Sequence, residues 1–182
     1  RLDAEEIRDS LLMAADNLDT TVAEAHPFPA ESTWTFTQHN PFSAVYDTNK
    51  RSAYMMVQRQ RRDPYLALFD GADPNASTPV RQLTTVPTQA LYFLNSPFFH
   101  NQAVGFSQRI LTAGQEQADG NHHLRQRHRI EQAFRWLYQR QPTAAEYAAA
   151  ADFLEQYPGS LQEKWAAYAR VLLAANEFLY LD

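Results

Sequence analysis

The sequence predicts a mainly α-helical single domain spanning residues 1–182, a bundle of about six or seven helices with a long irregular loop region near its start. Three observations predict it. Apolar residues recur at three- and four-residue spacing through residues 2–18 and through most of the second half. Helix-start signals precede those stretches, either Asp-Pro and Ser-Pro pairs or Ser/Thr followed three residues later by Glu. Strand-like signals are confined to two short runs.

Leu2, Ile7, Leu11, Leu12, Ala15 and Leu18 form one stripe and predict the first helix, with Asp3 and Glu6 as a variant capping box. Arg1 and Arg8 are expected on its wet side. From about Asp19 to Lys50 the periodicity stops, and Pro27, Pro29 and Pro41 punctuate a long loop. Trp34-Thr35-Phe36 alternates, which permits a short strand. Ala53 to Val57 is a second short apolar run, either a strand or a buried extended segment. Asp63-Pro64 opens a short helix through Phe69, Thr85 and Pro87 open another, and Ser96-Pro97 opens a third that stops at Gly114. Residues 114–121 read as a polar loop. Ile130, Ala133, Phe134, Leu137 and Tyr138 mark a helix running to about Arg140. Two capping boxes follow, Thr143 with Glu146 and Ser160 with Glu163. The second opens a helix carrying Leu161, Trp165, Tyr168, Leu172 and Leu179, and Pro158-Gly159 separates the two.

Composition narrows the function classes. Hydrophobic residues are 45% and charged residues 20% of the chain, the range of a folded domain with a core. A net charge of −5 argues against nucleic acid as the partner, since phosphate backbones select an excess of Lys and Arg. Arg outnumbers Lys 14 to 2; Arg suits bidentate pairing with carboxylates, but a GC-rich genome is the preferred reading of the imbalance. No Cys is present, so this segment holds no disulfide, zinc-thiolate site, thiol nucleophile or CxxCH haem attachment. No apolar run approaches the ~20 residues of a membrane span. The chain begins at Arg1 without Met and without a signal-like segment, so it reads as part of a larger protein.

Four stretches carry a family resemblance. They are Arg51-Ser-Ala-Tyr54, Arg62-Asp-Pro-Tyr-Leu-Ala-Leu-Phe-Asp70, Asp73-Pro-Asn-Ala-Ser-Thr78 and Thr84-Thr-Val-Pro-Thr-Gln-Ala-Leu-Tyr-Phe-Leu-Asn-Ser-Pro-Phe98. The opening Arg1 to Leu12 and the ending Ala174 to Asp182 add to it. Together they resemble the carboxy-terminal part of the planctomycete PSD-type family, domain of unknown function 1553. His26-Pro27-Phe28-Pro29 stands where that family leads one to expect a Gly-Gly-Pro segment. The resemblance implies an exported (periplasmic or cell-surface) multidomain protein, of a kind that often carries a haem-binding module upstream; this segment, with no Cys and no axial-ligand motif, is expected to hold no cofactor. The resemblance supplies no catalytic residues.

The candidate chemistry centres on a polar stretch. Asp70, Asp73, Asn75, Ser77 and Thr78 offer oxygens of the kind a hard cation takes, but their spacing is not that of an EF-hand loop. Asx turns and helix caps account for them more simply. Arg51, Arg59, Arg61, Arg62 and Arg81 flank them and suit either an oxyanion or ion pairs with Asp63, Asp70 and Asp73, of which the pairs are preferred. Gln89 and Asn95 are placed to tie their helix to the Asp73-Pro-Asn loop. The candidate binding set is therefore Arg62, Asp70, Asp73, Asn75, Arg81 and Gln89. Aromatic residues are 13% of the chain; Trp34, Phe36 and Tyr46 in the irregular region are candidates for contact with a sugar or a partner protein, though plugging the core beneath the loop is the preferred reading. Trp136 and Trp165 read as core. His128 and Glu131 have a His-x-x-Glu spacing with no second such pair, and no metal site is assigned. With no complete catalytic constellation, the expected role is a non-catalytic module for assembly, or for contact with a partner or glycan. Its partners are then the upstream domains of the same chain, another protein or a glycan. The alternative is part of a polysaccharide-active enzyme completed by upstream domains.

Overall fold

A computed structural model describes residues 1–24, 32, 39, 48–59, 62–113 and 122–180. Among them the chain is helical, as the apolar spacing predicts. The elements are α1 (Ala4–Ala14), a 3₁₀ turn (Ser52–Tyr54), α2 (Pro64–Leu68), α3 (Pro87–Asn95), α4 (Pro97–Ala113), α5 (His122–Tyr138), α6 (Ala144–Gln156), α7 (Leu161–Leu173) and α8 (Asn176–Leu179). The Trp34–Phe36 run and the polar loop expected over 114–121 lie outside the described residues.

Local chemistry sets the helix ends. The Asp63 carboxylate accepts from Leu66 N–H at 2.9 Å and caps α2, with Pro64 at the first helical position. All three predicted capping boxes close: Glu6 accepts from Asp3 N–H at 2.8 Å, Glu146 from Thr143 N–H at 2.7 Å and Glu163 from Ser160 N–H at 2.7 Å. Helix α1 stops before Leu18 because Asp16 turns left-handed (φ 60°), and Asn17 N–H closes back on the Leu12 carbonyl at 2.8 Å.

The core forms where four stripes meet. Phe99, Ala103, Phe106 and Ile110 line one face of α4, which packs most extensively on α7. There Trp165, Ala169, Leu172 and Leu173 are buried, while Ile7 and Leu11 come from α1 and Ile130, Ala133 and Phe134 from α5. Each such large side chain contributes roughly 1.5–3 kcal/mol of transfer free energy. A run of tilted and edge-on rings joins α2 to α3 and α4: Tyr65–Tyr92 at 5.3 Å, Phe69–Phe93 at 5.7 Å and Phe93–Phe99 at 5.1 Å. The ends of the described chain meet where Leu2 N–H donates to the Leu179 carbonyl at 2.8 Å.

Three expectations are corrected. Ala53 to Val57 forms no strand: a 3₁₀ turn occupies its first part, and Val57 is exposed. The β pairing among the described residues is a single parallel bridge between Asp19 and Lys50, held by Lys50 Nζ on Asp19 Oδ2 at 2.8 Å. The last predicted helix breaks at Ala174-Ala175, where Ala175 is extended (φ −70°, ψ 148°) and α8 starts afresh. That break turns Phe178 and Leu179 onto the core, and Tyr138 Oη reaches the Leu172 carbonyl beside it at 2.8 Å.

Candidate functional site

The sequence places its charges and turn residues between α2 and α3, and the structure shows what each one does. Helix α2 ends at Leu68, and two residues on the chain turns at Asp70, whose backbone is left-handed (φ 63°), a conformation that Asp tolerates better than most residues. Gly71 N–H then returns to the Leu66 carbonyl at 2.6 Å, and Arg62 donates to the Gly71 carbonyl. Next the Asp73 carboxylate accepts from Asn75 N–H at 2.8 Å, an Asx turn. Asn75 Nδ2 donates to the Arg59 carbonyl at 2.7 Å.

Arg1 organises the far side. Its Nη2 lies 2.7 Å from Asp70 Oδ2, and its Nη1 donates to Gln89 Oε1 at 3.0 Å and to the Thr84 carbonyl at 2.5 Å. Thr84 donates to Asp70 twice, through N–H at 2.8 Å and Oγ1 at 2.7 Å. Buried Gln89 completes the network by donating to the Leu68 carbonyl at 2.9 Å. Burial alone would raise the Asp70 carboxyl; the Thr84 backbone and hydroxyl donors and Arg1 outweigh it and hold the pKa below the usual carboxylate range. The Arg1 side chain is only 7% exposed, so the expected wet position is wrong.

Arg8 is corrected likewise. It is buried, donating to the Lys50 carbonyl at 2.9 Å, to Ser52 Oγ at 3.2 Å and to the Thr48 carbonyl. Ser52 in turn donates to Asp9 Oδ1 from both N–H (2.8 Å) and Oγ (2.6 Å). The 48–52 segment therefore lies over a polar flank of α1 that helical periodicity assigns to water.

The six predicted binding residues do not converge on one site. Asp70 and Gln89 meet through Arg1, Asp73 and Asn75 share a turn, and Arg62 serves Gly71. Arg81 leaves the stretch and grips Glu5 of α1, with Nη2–Oε1 at 2.9 Å. Among the described residues, which leave out Arg61, Asp70 pairs with Arg1 and Arg81 pairs with Asp3 and Glu5 at the α1 end, and Gln89 ties α3 to α2 rather than to the Asp73 loop. Asn95 bonds its own helix, at the Leu91 carbonyl, 3.1 Å. Trp34, Phe36 and Tyr46 lie outside the described residues. Among the described residues no three His, Asp or Glu side chains are grouped to hold a metal ion, and no helix is long and apolar enough to cross a membrane.

Two surface features remain that sequence reasoning missed. Leu91 (51% exposed) and Leu94 (68% exposed) share the outer face of α3, preceded by exposed Val80, Leu83 and Val86. One signal was available for this: from Gln82 to Gln108 the chain contains no Asp, Glu, Lys or Arg. The second is a cleft of about 500 Å³ walled by Tyr65, Tyr92 and Phe98, with Arg8, Asn49 and Asn101 at its polar edge.

Fold and site together define a helical module whose polar stretch is tied into its own scaffold. A family model described as a protein of unknown function (DUF1553), PSD1, matches residues 1–154, and the chain belongs to that family. The match takes in the four resembling stretches and ends within α6; the Ala174–Asp182 ending lies outside it. No curated protein and no solved structure matches the chain.

Proposed function

We propose that this domain is a non-catalytic contact module whose α3 face docks onto an uncharged, apolar protein surface. The observation that carries it is the pair Leu91 and Leu94, exposed on one helix face within a stretch free of charged residues. Depletion of charge with retained apolar surface is the mark of an interface core. The pinned stretch beneath supports the same reading, because Arg1, Asp70 and Gln89 hold the start of α3 rigid against α2. A part in a polysaccharide-active enzyme has less support, since the Asp70 carboxylate is engaged by Arg1 and Thr84. On the family resemblance alone we propose that the protein is exported and multidomain, with any haem in a module upstream.

The test places a photo-crosslinking residue at Leu94 and, as control, at exposed Asp152 on α6, in the producing cell. The expected result is a discrete crosslinked protein at position 94 only, lost when Leu91→Glu is added. Leu91→Glu leaves folding stability within ~0.5 kcal/mol, as an exposed change should. Equal labelling at both positions, or labelling indifferent to Leu91→Glu, sinks the proposal.

A second reading rests on the Tyr65–Tyr92–Phe98 cleft, whose rings and flanking amides suit a sugar face. Calorimetric titration with neutral and acidic oligosaccharides, repeated on Tyr92→Ala, tests it. Saturable heat that disappears in the variant is expected; no heat with any sugar removes the reading.

A further inference from the structure

Among the described residues, Arg129 of α5 is a buried cation without a carboxylate partner: it is 9% exposed, and none of the ion pairs formed there includes it. Its hydrogen bond there runs from Nη2 to the Leu111 carbonyl near the end of α4, 3.2 Å, and Nε is sealed without an acceptor. Burial lowers its pKa and the neighbouring Arg125 lowers it further, the opposite of what a counter-ion would do. A buried charge is normally paired, so one without a carboxylate asks for an anion.

Arg129 lines a pocket of about 340 Å³ between α5, α6 and α7. Trp165, Leu154, Leu161 and Tyr147 supply apolar walls, and Lys164 and Glu155 bring one further charge of each sign. Lys164 Nζ donates to the Glu155 main-chain carbonyl at 3.3 Å. Among the described lining residues the cationic side chains thus outnumber the carboxylates by one, beside a large indole, and the volume lies at the small end of small-molecule sites, ~300–1,000 Å³. A guanidinium fork prefers planar carboxylates and phosphates. A single excess charge favours a monoanion, and the apolar walls favour a flat body attached to it.

We infer that the α5–α6–α7 pocket binds a small organic carboxylate, the carboxylate on Arg129 and the apolar body against Trp165. The test is calorimetric titration of the 182-residue protein at constant ionic strength, with benzoate, benzamide and inorganic phosphate as probes. Benzoate is expected to saturate below ~1 mM, with benzamide and phosphate each at least ~10-fold weaker. Arg129→Gln and, independently, Ala151→Phe, which fills the pocket and keeps Arg129, each weaken benzoate at least ~10-fold. Benzamide equal to benzoate would mean an apolar cavity without anion recognition. Phosphate equal to or tighter than benzoate would mean a bare oxyanion site. No saturable binding by any probe would leave Arg129 as a cap on α4 alone. Each of these three results overturns the proposal.

Discussion

Arg1 Nη2 and Asp70 Oδ2 stand 2.7 Å apart across 69 residues of sequence, and around that contact the first helix, the α2 end and the α3 start are joined. Replacing Asp70 by Asn keeps a residue that accepts the left-handed backbone and removes the charge, leaving Arg1 buried and unpaired. The expected loss is ~2–3 kcal/mol by urea unfolding. The double change Arg1→Met with Asp70→Asn loses less than the sum of the single changes. Additive losses would show that the two side chains do not communicate.

Arg8 spans three acceptors on the 48–52 segment, which a lysine ammonium cannot reproduce with its single nitrogen. Arg8→Lys is therefore expected to cost ~1.5–3 kcal/mol. It should also speed proteolytic cutting between Thr48 and Ser52 ahead of global unfolding. Unchanged cutting would mean that Ser52 on Asp9 suffices to hold the segment.

Gly71 has no room for a methyl group: a Cβ there would lie 2.8 Å from the Leu66 carbonyl oxygen and 2.9 Å from Leu66 Cβ. Gly71→Ala forces the turn after α2 open and is expected to cost ~1–3 kcal/mol, read as a lowered thermal midpoint. A neutral result would mean that α2 shifts without cost.

The acid limb of stability has a named contributor. Arg140 pairs with Glu146 (Nη2–Oε1, 2.6 Å) and Glu177 (Nε–Oε1, 2.6 Å), joining the end of α5 to α6 and α8. The Arg140 guanidinium holds the Glu146 carboxyl at about 2, against 4.5 unpaired. The folded value lies below the unfolded one, so the unfolded state takes up the proton first. The stabilisation is complete above pH 4.5 and drains as the pH falls toward 2. Glu146→Gln keeps an acceptor for Thr143 N–H and removes that titration. Its thermal midpoint should fall less steeply than that of the parent between ~pH 5 and 2. Parallel curves would assign the acid limb to other groups.

Much of the fold was legible because helix starts are local. Asp63-Pro64, Thr143 with Glu146 and Ser160 with Glu163 act within three residues, so their chemistry can be read along the chain. The turn character of Asp73 and Asn75 was legible for the same reason. The partners of Asp70, Arg81 and Gln89 were not, because opposite charges near each other in sequence invite pairing that the tertiary path then denies. The burial of Arg1 and Arg8 was misread because periodicity marks the apolar stripe of a helix but not whether another segment covers its polar flank.

By itself, the sequence determined the helical class, most helix boundaries and the apolar faces of α1, α4, α5 and α7. These depend on spacing, capping and proline, which act over one or two turns. The tertiary structure alone decided that Arg81 crosses to Glu5, that Arg1 closes on Asp70, that α3 turns Leu91 and Leu94 outward and that Arg129 is buried with no carboxylate partner among the described residues. Such outcomes depend on which stripes find each other when the core closes, and a charge far along the chain is a neighbour only once that packing exists.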